Sequence, residues 1–155
     1  MNKKQNILVT GGAGYIGSHI VELLVKTKAN IIIVDNLITG HKKLINKKAI
    51  FINKDIKNKV ALTKIINDYK INSIIHLAGS LNVSEAEKNK KKYYKNNVEG
   101  TLNLIKCCKN SSVTSIIFSP SCSNAFFITL DAISIVTHFP TLNLQNPPVL
   151  VHLLL

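Results

Sequence analysis

Three glycines near the start of the chain have the spacing of a turn that binds a phosphate-bearing ligand. Gly11, Gly14 and Gly17 lie three residues apart and follow the apolar run 7–9. In such a turn the first glycine permits a tight bend, the second leaves space for a pyrophosphate, and the third lets a helix pack closely on the strand. The N-terminus of that helix then offers free N–H groups and a partial positive charge to the phosphates.

A carboxylate follows the next apolar run at a distance typical of ribose recognition. Residues 31–34 are Ile-Ile-Ile-Val and end at Asp35, which lies 24 residues after Gly11 (35 − 11). A carboxylate at this place accepts hydrogen bonds from the ribose hydroxyls of an adenosine and repels a 2′-phosphate, so the pattern predicts NAD rather than NADP. The alternative is a glycine-rich turn beside a surface aspartate that binds no ligand.

The bulk composition is that of a globular domain and argues against nucleic acid as a partner. The chain has 155 residues, of which 46% are hydrophobic, enough for one domain with a core. Its net charge of +12 comes from 20 basic residues, all of them lysine, against 8 acidic ones. Sites for nucleic acids favour arginine for its planar, bidentate guanidinium, and this chain contains none.

The cysteines and the N-terminus predict neither a metal site nor a targeting segment. Cys107, Cys108 and Cys122 have no spacing typical of a disulfide framework or a metal site. The apolar run after Lys3 and Lys4 is too short for a signal peptide. We therefore expect a cytoplasmic protein without a membrane span.

Apolar runs alternate with helical patterns five times before residue 121. Strands are predicted near 7–10, 31–34, 50–52, 73–77 and 113–118, with helices between them. This alternation is typical of an α/β protein with a Rossmann-type, doubly wound parallel sheet. We expect the strand order 3-2-1-4-5, with the ligand above the carboxyl ends of strands one and four. The helix over 90–109 is expected to turn Val98, Leu102, Ile105 and Cys108 inward.

The composition changes after this region. From residue 110 onward the only formally charged side chain is Asp131, and prolines interrupt several apolar runs. We therefore predict a domain over 1–121 and an apolar tail over 122–155 that is poorly ordered and prone to aggregate. Strand five would then be an exposed sheet edge, shielded in part if 126–130 or 133–137 adds a strand.

Over residues 5–121 the sequence resembles the UDP-glucose 4-epimerases, which belong to the extended short-chain dehydrogenase/reductases and the NAD-dependent epimerase/dehydratase family. The resemblance rests on several motifs in combination. These are Val-Thr-Gly-Gly-Ala-Gly-Tyr-Ile-Gly-Ser-His at 9–19, Val-Asp-Asn-Leu at 34–37, Asp-Ile at 55–56, His-Leu-Ala-Gly at 76–79, Tyr-Tyr-Lys-Asn-Asn-Val-Glu-Gly-Thr-Leu-Asn-Leu at 93–104 and Phe-Ser-Pro-Ser at 118–121.

The resemblance implies a set of NAD-binding residues. They are Gly11, Gly14, Tyr15, Ile16 and Gly17 at the pyrophosphate, Asp35 and Asn36 at the adenosine ribose, Asp55 and Ile56 at the adenine, and Leu77, Ala78, Gly79 and Asn97 toward the nicotinamide. It also matches Ser121 with a catalytic serine that hydrogen-bonds the sugar hydroxyl undergoing oxidation. Read without the resemblance, Asp55 is a helix N-cap and His76 a packed histidine at a strand end.

The catalytic base of the family is missing from these residues. Family members carry a Tyr-x-x-x-Lys motif on the helix after strand five, where the ammonium lowers the pKa of the phenol. This chain has no tyrosine after Tyr94 and no lysine after Lys109. We therefore expect the NAD-binding portion of a UDP-sugar 4-epimerase, truncated, inactive and without the sugar-binding domain. The alternatives are a non-catalytic NAD-binding or regulatory module, and half of a split epimerase whose UDP-sugar site a second chain completes.

Overall fold

A single parallel sheet organises the part of the chain that the structure describes. The computed structural model describes residues 4–79, 95–118 and 150–153. The strands are β1 (Asn6–Thr10), β2 (Asn30–Asp35), β3 (Ile50–Asn53), β4 (Ser73–His76), β5 (Ser115–Phe118) and β6 (Leu150–Leu153). The α-helices are α1 (Tyr15–Leu24), α2 (Lys59–Asp68) and α3 (Gly100–Cys108), with a 3₁₀ turn at Lys42–Leu44 and a π-helical turn at Lys95–Glu99.

The predicted Rossmann-type topology is confirmed. The strands lie in the order β3-β2-β1-β4-β5-β6, and every neighbouring pair is parallel. In the centre, Leu8 of β1 is paired with Ile32 of β2 on one side and Ile74 of β4 on the other. The reversal of strand order between β1 and β4 creates the crevice at which such sheets bind ligands.

Alternate residues of the central strands serve two separate cores. Leu8, Ile32 and Ile74 belong to a buried cluster together with residues of α2 and α3. Val9, Ile33 and Ile75 belong to a second cluster, which includes Val21 of α1. Because helices cover both faces, the strands are nearly continuous apolar runs rather than alternating ones.

The buried face of α3 differs from the predicted one. Val98 is buried as expected, but the next fully buried positions are Thr101, Leu104 and Cys107. The predicted residues 102, 105 and 108 are only partly buried. Gly100 explains the difference. It lies directly against Ile56, so α3 packs on the core with the face that carries Gly100.

The prediction that strand five forms the sheet edge is wrong. Strand β6 pairs with β5, with Ser115 opposite Leu150 and Phe118 opposite Leu153. A run of β-formers follows the prolines at 147 and 148, and it takes up the hydrogen-bonding groups that β5 would otherwise expose. The additional strands predicted at 126–130 and 133–137 lie outside the described residues. Among the helices of the described ranges, none has the length and hydrophobicity needed to cross a membrane.

Candidate cofactor site

Two glycines of the turn after β1 are required by its geometry. Gly11 has φ +72°, and a Cβ there would lie 2.7 Å from the backbone nitrogen of Ala78. A Cβ on Gly17 would overlap the Gly11 carbonyl oxygen. Hence Gly11 permits the left-handed bend and Gly17 permits the close approach of α1, as the spacing predicted.

The third glycine leaves space at the N-terminus of α1. Gly14 is extended, with φ −79° and ψ 175°, and a Cβ there would meet only the Gly11 oxygen, at 3.3 Å. No side chain caps this helix within the described residues. The first residues of the helix, Tyr15 and Ile16, are exposed. An uncapped, open helix N-terminus of this kind has N–H groups available for an anion.

Asp35 holds the glycine turn as well as ending β2. Its Oδ2 accepts a hydrogen bond from the backbone N–H of Ala13 at 3.0 Å. Its Oδ1 accepts one from the N–H of Leu37 at 2.8 Å, and Leu37 has φ +58°. The carboxylate is 8% exposed. Each oxygen keeps a second lone pair for a ligand hydroxyl. Sequence reasoning missed the bond to Ala13, since the pairing depends on how closely β2 approaches the turn.

Asn36 and Asp55 form a polar bridge between the ends of β2 and β3. Asn36 Nδ2 donates to Asp55 Oδ2 at 3.1 Å, and the N–H of Lys57 donates to Oδ1 at 2.8 Å. Partial burial raises the pKa of Asp55, but the hydrogen bonds from Lys57 and Asn36 and the Lys57 ammonium at 3.4 Å outweigh it, so the pKa lies below its ordinary value. The bridge therefore keeps Asp55 ionised beside Asn36.

The reading of Asp55 as a helix N-cap is wrong. Asn58 caps α2 instead, because its Oδ1 accepts from the N–H of Ala61 at 3.0 Å. The side chain of Ile56 is buried in the core against Gly100. Any contact between Ile56 and a ligand must therefore use its backbone.

The segment after β4 lies beside the glycine turn. The N–H of Leu77 donates to the Thr10 carbonyl at 3.0 Å, and Gly79 N–H donates to the Leu77 carbonyl at 3.0 Å. The Gly11 bend abuts Leu77 and Ala78 so closely that a Cβ would not fit. The carboxyl ends of β1 and β4 thus meet, as the strand order predicted.

His76, the last residue of β4, is fully buried. Its Nδ1 lies 2.6 Å from Thr10 Oγ1 and its Nε2 lies 2.9 Å from Thr101 Oγ1. The ring of Phe118 packs edge-on against it, at 5.6 Å between ring centres. Burial lowers the pKa of His76 to about 4, so the imidazole is neutral at pH 7. The interpretation of His76 as a packed strand-end histidine is confirmed, whereas its two threonine partners had no recognisable signal in the sequence.

Asn97 is buried within the π-helical turn that precedes α3. Its carbonyl accepts a hydrogen bond from the Thr101 hydroxyl at 2.5 Å. Turns of this kind occur frequently at functional sites. Ser121 lies outside the described residues.

Comparison with known proteins decides the family. Residues 7–125 match the sequence model of the NAD dependent epimerase/dehydratase family. The chain belongs to this family. The predicted family is thereby confirmed, and so is the predicted cofactor, because the family is defined by its dependence on NAD.

Several UDP-glucose 4-epimerases are similar to this chain over about three quarters of its length. The UDP-glucose 4-epimerase of Lactobacillus helveticus is 42% identical over 115 residues, which are 74% of this chain and 35% of that protein. The crystal structure of the Thermotoga maritima UDP-glucose 4-epimerase with UDP-glucose has a TM-score of 0.72 and 34% identity. That of the Brucella ovis enzyme in complex with NAD has a TM-score of 0.71 and 37% identity.

These two structures are each matched over 74% of this chain, which corresponds to 37% and 35% of their own chains. The chain therefore spans about a third of the length of these three relatives.

Proposed function

We propose that this chain is the NAD-binding portion of a UDP-sugar 4-epimerase that interconverts UDP-glucose and UDP-galactose. One observation carries the proposal. The glycine turn leaves an uncapped helix N-terminus open at Gly14, and the turn is held by the carboxylate of Asp35 at the end of the neighbouring strand. This combination suits a dinucleotide with a pyrophosphate and an unphosphorylated ribose.

Each part of the dinucleotide has a candidate partner in this chain. The N–H groups of Tyr15 and Ile16 would bind the pyrophosphate, Asp35 and Asn36 the adenosine ribose, and Asp55 with the backbone of Ile56 the adenine. The segment Leu77–Gly79 and Asn97 would face the nicotinamide half, and Ser121 would hydrogen-bond the sugar. Bound NAD⁺ supplies the acceptor for a hydride from the sugar C4.

We further propose that these residues alone bind NAD without epimerising a UDP-sugar. The sequence contains no Tyr-x-x-x-Lys after residue 94 that could remove the proton of the sugar hydroxyl. Loss of a positioned base costs about 10²–10⁴ in rate. A UDP-sugar would become a partner only where a second chain completes the site.

Titration calorimetry of the 155-residue chain with NAD⁺ and NADP⁺ tests the cofactor proposal. We expect tighter binding of NAD⁺, and equal or tighter binding of NADP⁺ would contradict it. Gly14→Ala is the sharpest variant, because alanine adopts the extended backbone of Gly14 but places a methyl group where the pyrophosphate would lie. It should lower NAD⁺ affinity with little change in melting temperature. Lys64→Ala, at an exposed position of α2, is the control and should change neither.

A coupled assay for UDP-galactose conversion tests the proposed lack of activity. Protein from a host without its own epimerase should give no turnover above the blank. Turnover that scales with the concentration of this chain would refute the proposal and would require a base other than the family tyrosine.

A further inference from the structure

A chain of buried hydrogen bonds runs beneath the candidate site and joins three elements. It passes from Thr10 at the end of β1 to His76 at the end of β4, and then to Thr101 of α3 and the carbonyl of Asn97. The side chains of Thr10, His76 and Thr101 are all 2% exposed or less. Buried polar chains of this kind restrict the structures that the elements can adopt, because an unmade bond leaves a desolvated group unpaired.

The partners determine the direction of every bond. The hydroxyl of Thr101 donates its one proton to the Asn97 carbonyl, so its oxygen must accept from His76 Nε2–H. Because the buried ring is neutral at pH 7, Nδ1 carries no proton and accepts from the Thr10 hydroxyl. Only one tautomer of His76, with the proton on Nε2, satisfies the whole chain.

The residues of this hydrogen-bond chain are sequence neighbours of residues that we propose bind the cofactor. Thr10 immediately precedes Gly11, and His76 immediately precedes Leu77. At the other end, the bond from Thr101 engages the π-helical turn itself, four residues back along the helix. π-Helical turns are rare, and they occur frequently at functional sites.

We propose that His76 and Thr101 are positioning residues that hold the Asn97 turn in place relative to the carboxyl ends of β1 and β4, and thereby set the affinity for NAD. This inference rests on the proposed function. The two threonine hydroxyls and the ring act together, since each hydrogen bond fixes the proton position that the next one requires.

Thr101→Val removes the hydroxyl and keeps the shape of the side chain. We expect the 155-residue variant to bind NAD⁺ on the order of tenfold more weakly. Thr101→Ser restores the hydroxyl and should recover most of the affinity. Thr63→Val is the matched control, because Thr63 also donates a hydroxyl hydrogen bond to a residue of α3, Cys107 at 3.3 Å. It should lower the stability while leaving NAD⁺ affinity unchanged.

A double-mutant cycle separates positioning from a general loss of stability. In an Asn97→Ala background, Thr101→Val should have little further effect on NAD⁺ affinity, because the Asn97 side chain that it positions is already absent. Effects that simply multiply, or an affinity of Thr101→Val equal to that of the parent, would overturn the inference. If Thr101→Val does not fold, Thr10→Val, which breaks the other end of the chain, is compared with Thr63→Val in the same way.

NMR of the ¹⁵N-labelled imidazole gives a readout that does not depend on NAD. The parent should show His76 with its proton on Nε2, and Thr101→Val should change both this signal and the amide resonance of Asn97. A proton on Nδ1 in the parent, or an unchanged Asn97 resonance in the variant, would contradict the proposed positioning role of His76 and Thr101. If the parent shows the expected tautomer but binds no NAD⁺, the proposed function is wrong, whereas the hydrogen bonds from Thr10 through His76 to Thr101 are confirmed.

Discussion

The two ends of the central sheet use polar residues in opposite ways. At the amino end, asparagine side chains close the structure by bonding to one another and to the backbone. At the carboxyl end, the glycine turn leaves the N–H groups of the α1 N-terminus without a side-chain cap, and the buried carboxylate of Asp35 holds the turn. Within the described residues, the uncapped N-terminus of α1 lies at the carboxyl end of the sheet, which is the end at which open parallel sheets bind ligands.

Asparagines at the amino end satisfy each other. Asn30 donates to Asn6 Oδ1 at 2.7 Å, and Asn6 Nδ2 in turn donates to the carbonyls of Tyr69 and Lys70 at 2.8 and 3.2 Å. The N–H of Asn6 donates to Asn72 Oδ1 at 3.2 Å. These bonds tie the starts of β1, β2 and β4 together and leave Asn6 with its side-chain donors and its oxygen engaged.

The carboxyl end is built around small residues instead. The turn at Gly11 and Gly17 lets β1 and α1 approach closely, and Gly14 keeps the helix N-terminus open. Among the described residues, the carboxylate of Asp35 accepts hydrogen bonds from the backbone N–H groups of Ala13 and Leu37 alone. We therefore expect substitutions at this end to change ligand binding and those at the amino end to change stability alone, except where a glycine is required by the fold.

The largest expected effect on stability comes from replacing a glycine that the fold requires. Gly17→Ala places a methyl group on the Gly11 carbonyl oxygen and should lower the free energy of unfolding by about 3 kcal/mol or more. Chemical denaturation followed by circular dichroism measures it. Gly14→Ala, in the same turn, is the control and should cost far less. Equal losses for the two variants would show that the turn does not separate a packing glycine from a ligand-facing one.

The pH dependence of stability tests the buried hydrogen bonds of His76 at the carboxyl end of the sheet. The pKa of His76 is lowered from 6.5 to about 4 by burial, so the unfolded chain binds the proton more readily than the folded one. Stability is therefore present above pH 6.5 and is lost as the pH falls toward 4, by about 3 kcal/mol for this group. The lowered pKa of Asp55 acts in the same direction.

Denaturation midpoints measured from pH 7 to pH 4 check this prediction. His76→Gln should lose most of the dependence in that range, because glutamine does not titrate. His19→Gln, at an exposed position of α1, is the control and should retain it. A steep dependence that survives in His76→Gln would assign the effect to other groups.

Asp35→Ala should affect binding and stability together. It removes the acceptor for Ala13 and the proposed partner of the ribose, and we expect NAD⁺ affinity to fall by about 1–3 kcal/mol. The preference for NAD⁺ over NADP⁺ should fall as well, because the negative charge that repels the 2′-phosphate is gone. Calorimetry measures both cofactors, with Asp68→Ala, an exposed aspartate of α2, as the control. An unchanged preference would remove Asp35 from the proposed ribose site.

Asn6→Ala, at the opposite end of the sheet, gives the smallest expected change. The loss of its side-chain bonds should lower the free energy of unfolding by about 1–2 kcal/mol and leave NAD⁺ affinity unchanged. Asn67→Ala on the exposed face of α2 should be neutral or slightly stabilising, because alanine is the better helix former. A loss of NAD⁺ affinity in Asn6→Ala would break the distinction between the two ends.

Local patterns were sufficient to predict most of the sheet and the glycine turn. Residues 7–9 and 31–34 are apolar and β-forming, and such runs are typical of strands covered on both faces. The spacing of Gly11, Gly14 and Gly17 predicted a tight bend, an open position and a close helix approach, and the structure has all three. Periodicity was less reliable for α3, where close packing of Gly100 on Ile56 selected a different face.

The sequence by itself predicted the order of the first five strands, the position of the glycine turn and the aspartate at the end of β2, because the glycine spacing is a local pattern and the alternation of strands and helices is typical of one topology. Only the tertiary structure decided the bond from Ala13 to Asp35, the chain from Thr10 through His76 to Thr101, and the pairing of β6 with β5. These contacts join residues between 22 and 66 positions apart, as in the bonds of Asp35 and of Thr10. Such pairings follow from how closely whole elements pack, and no local pattern encodes that distance.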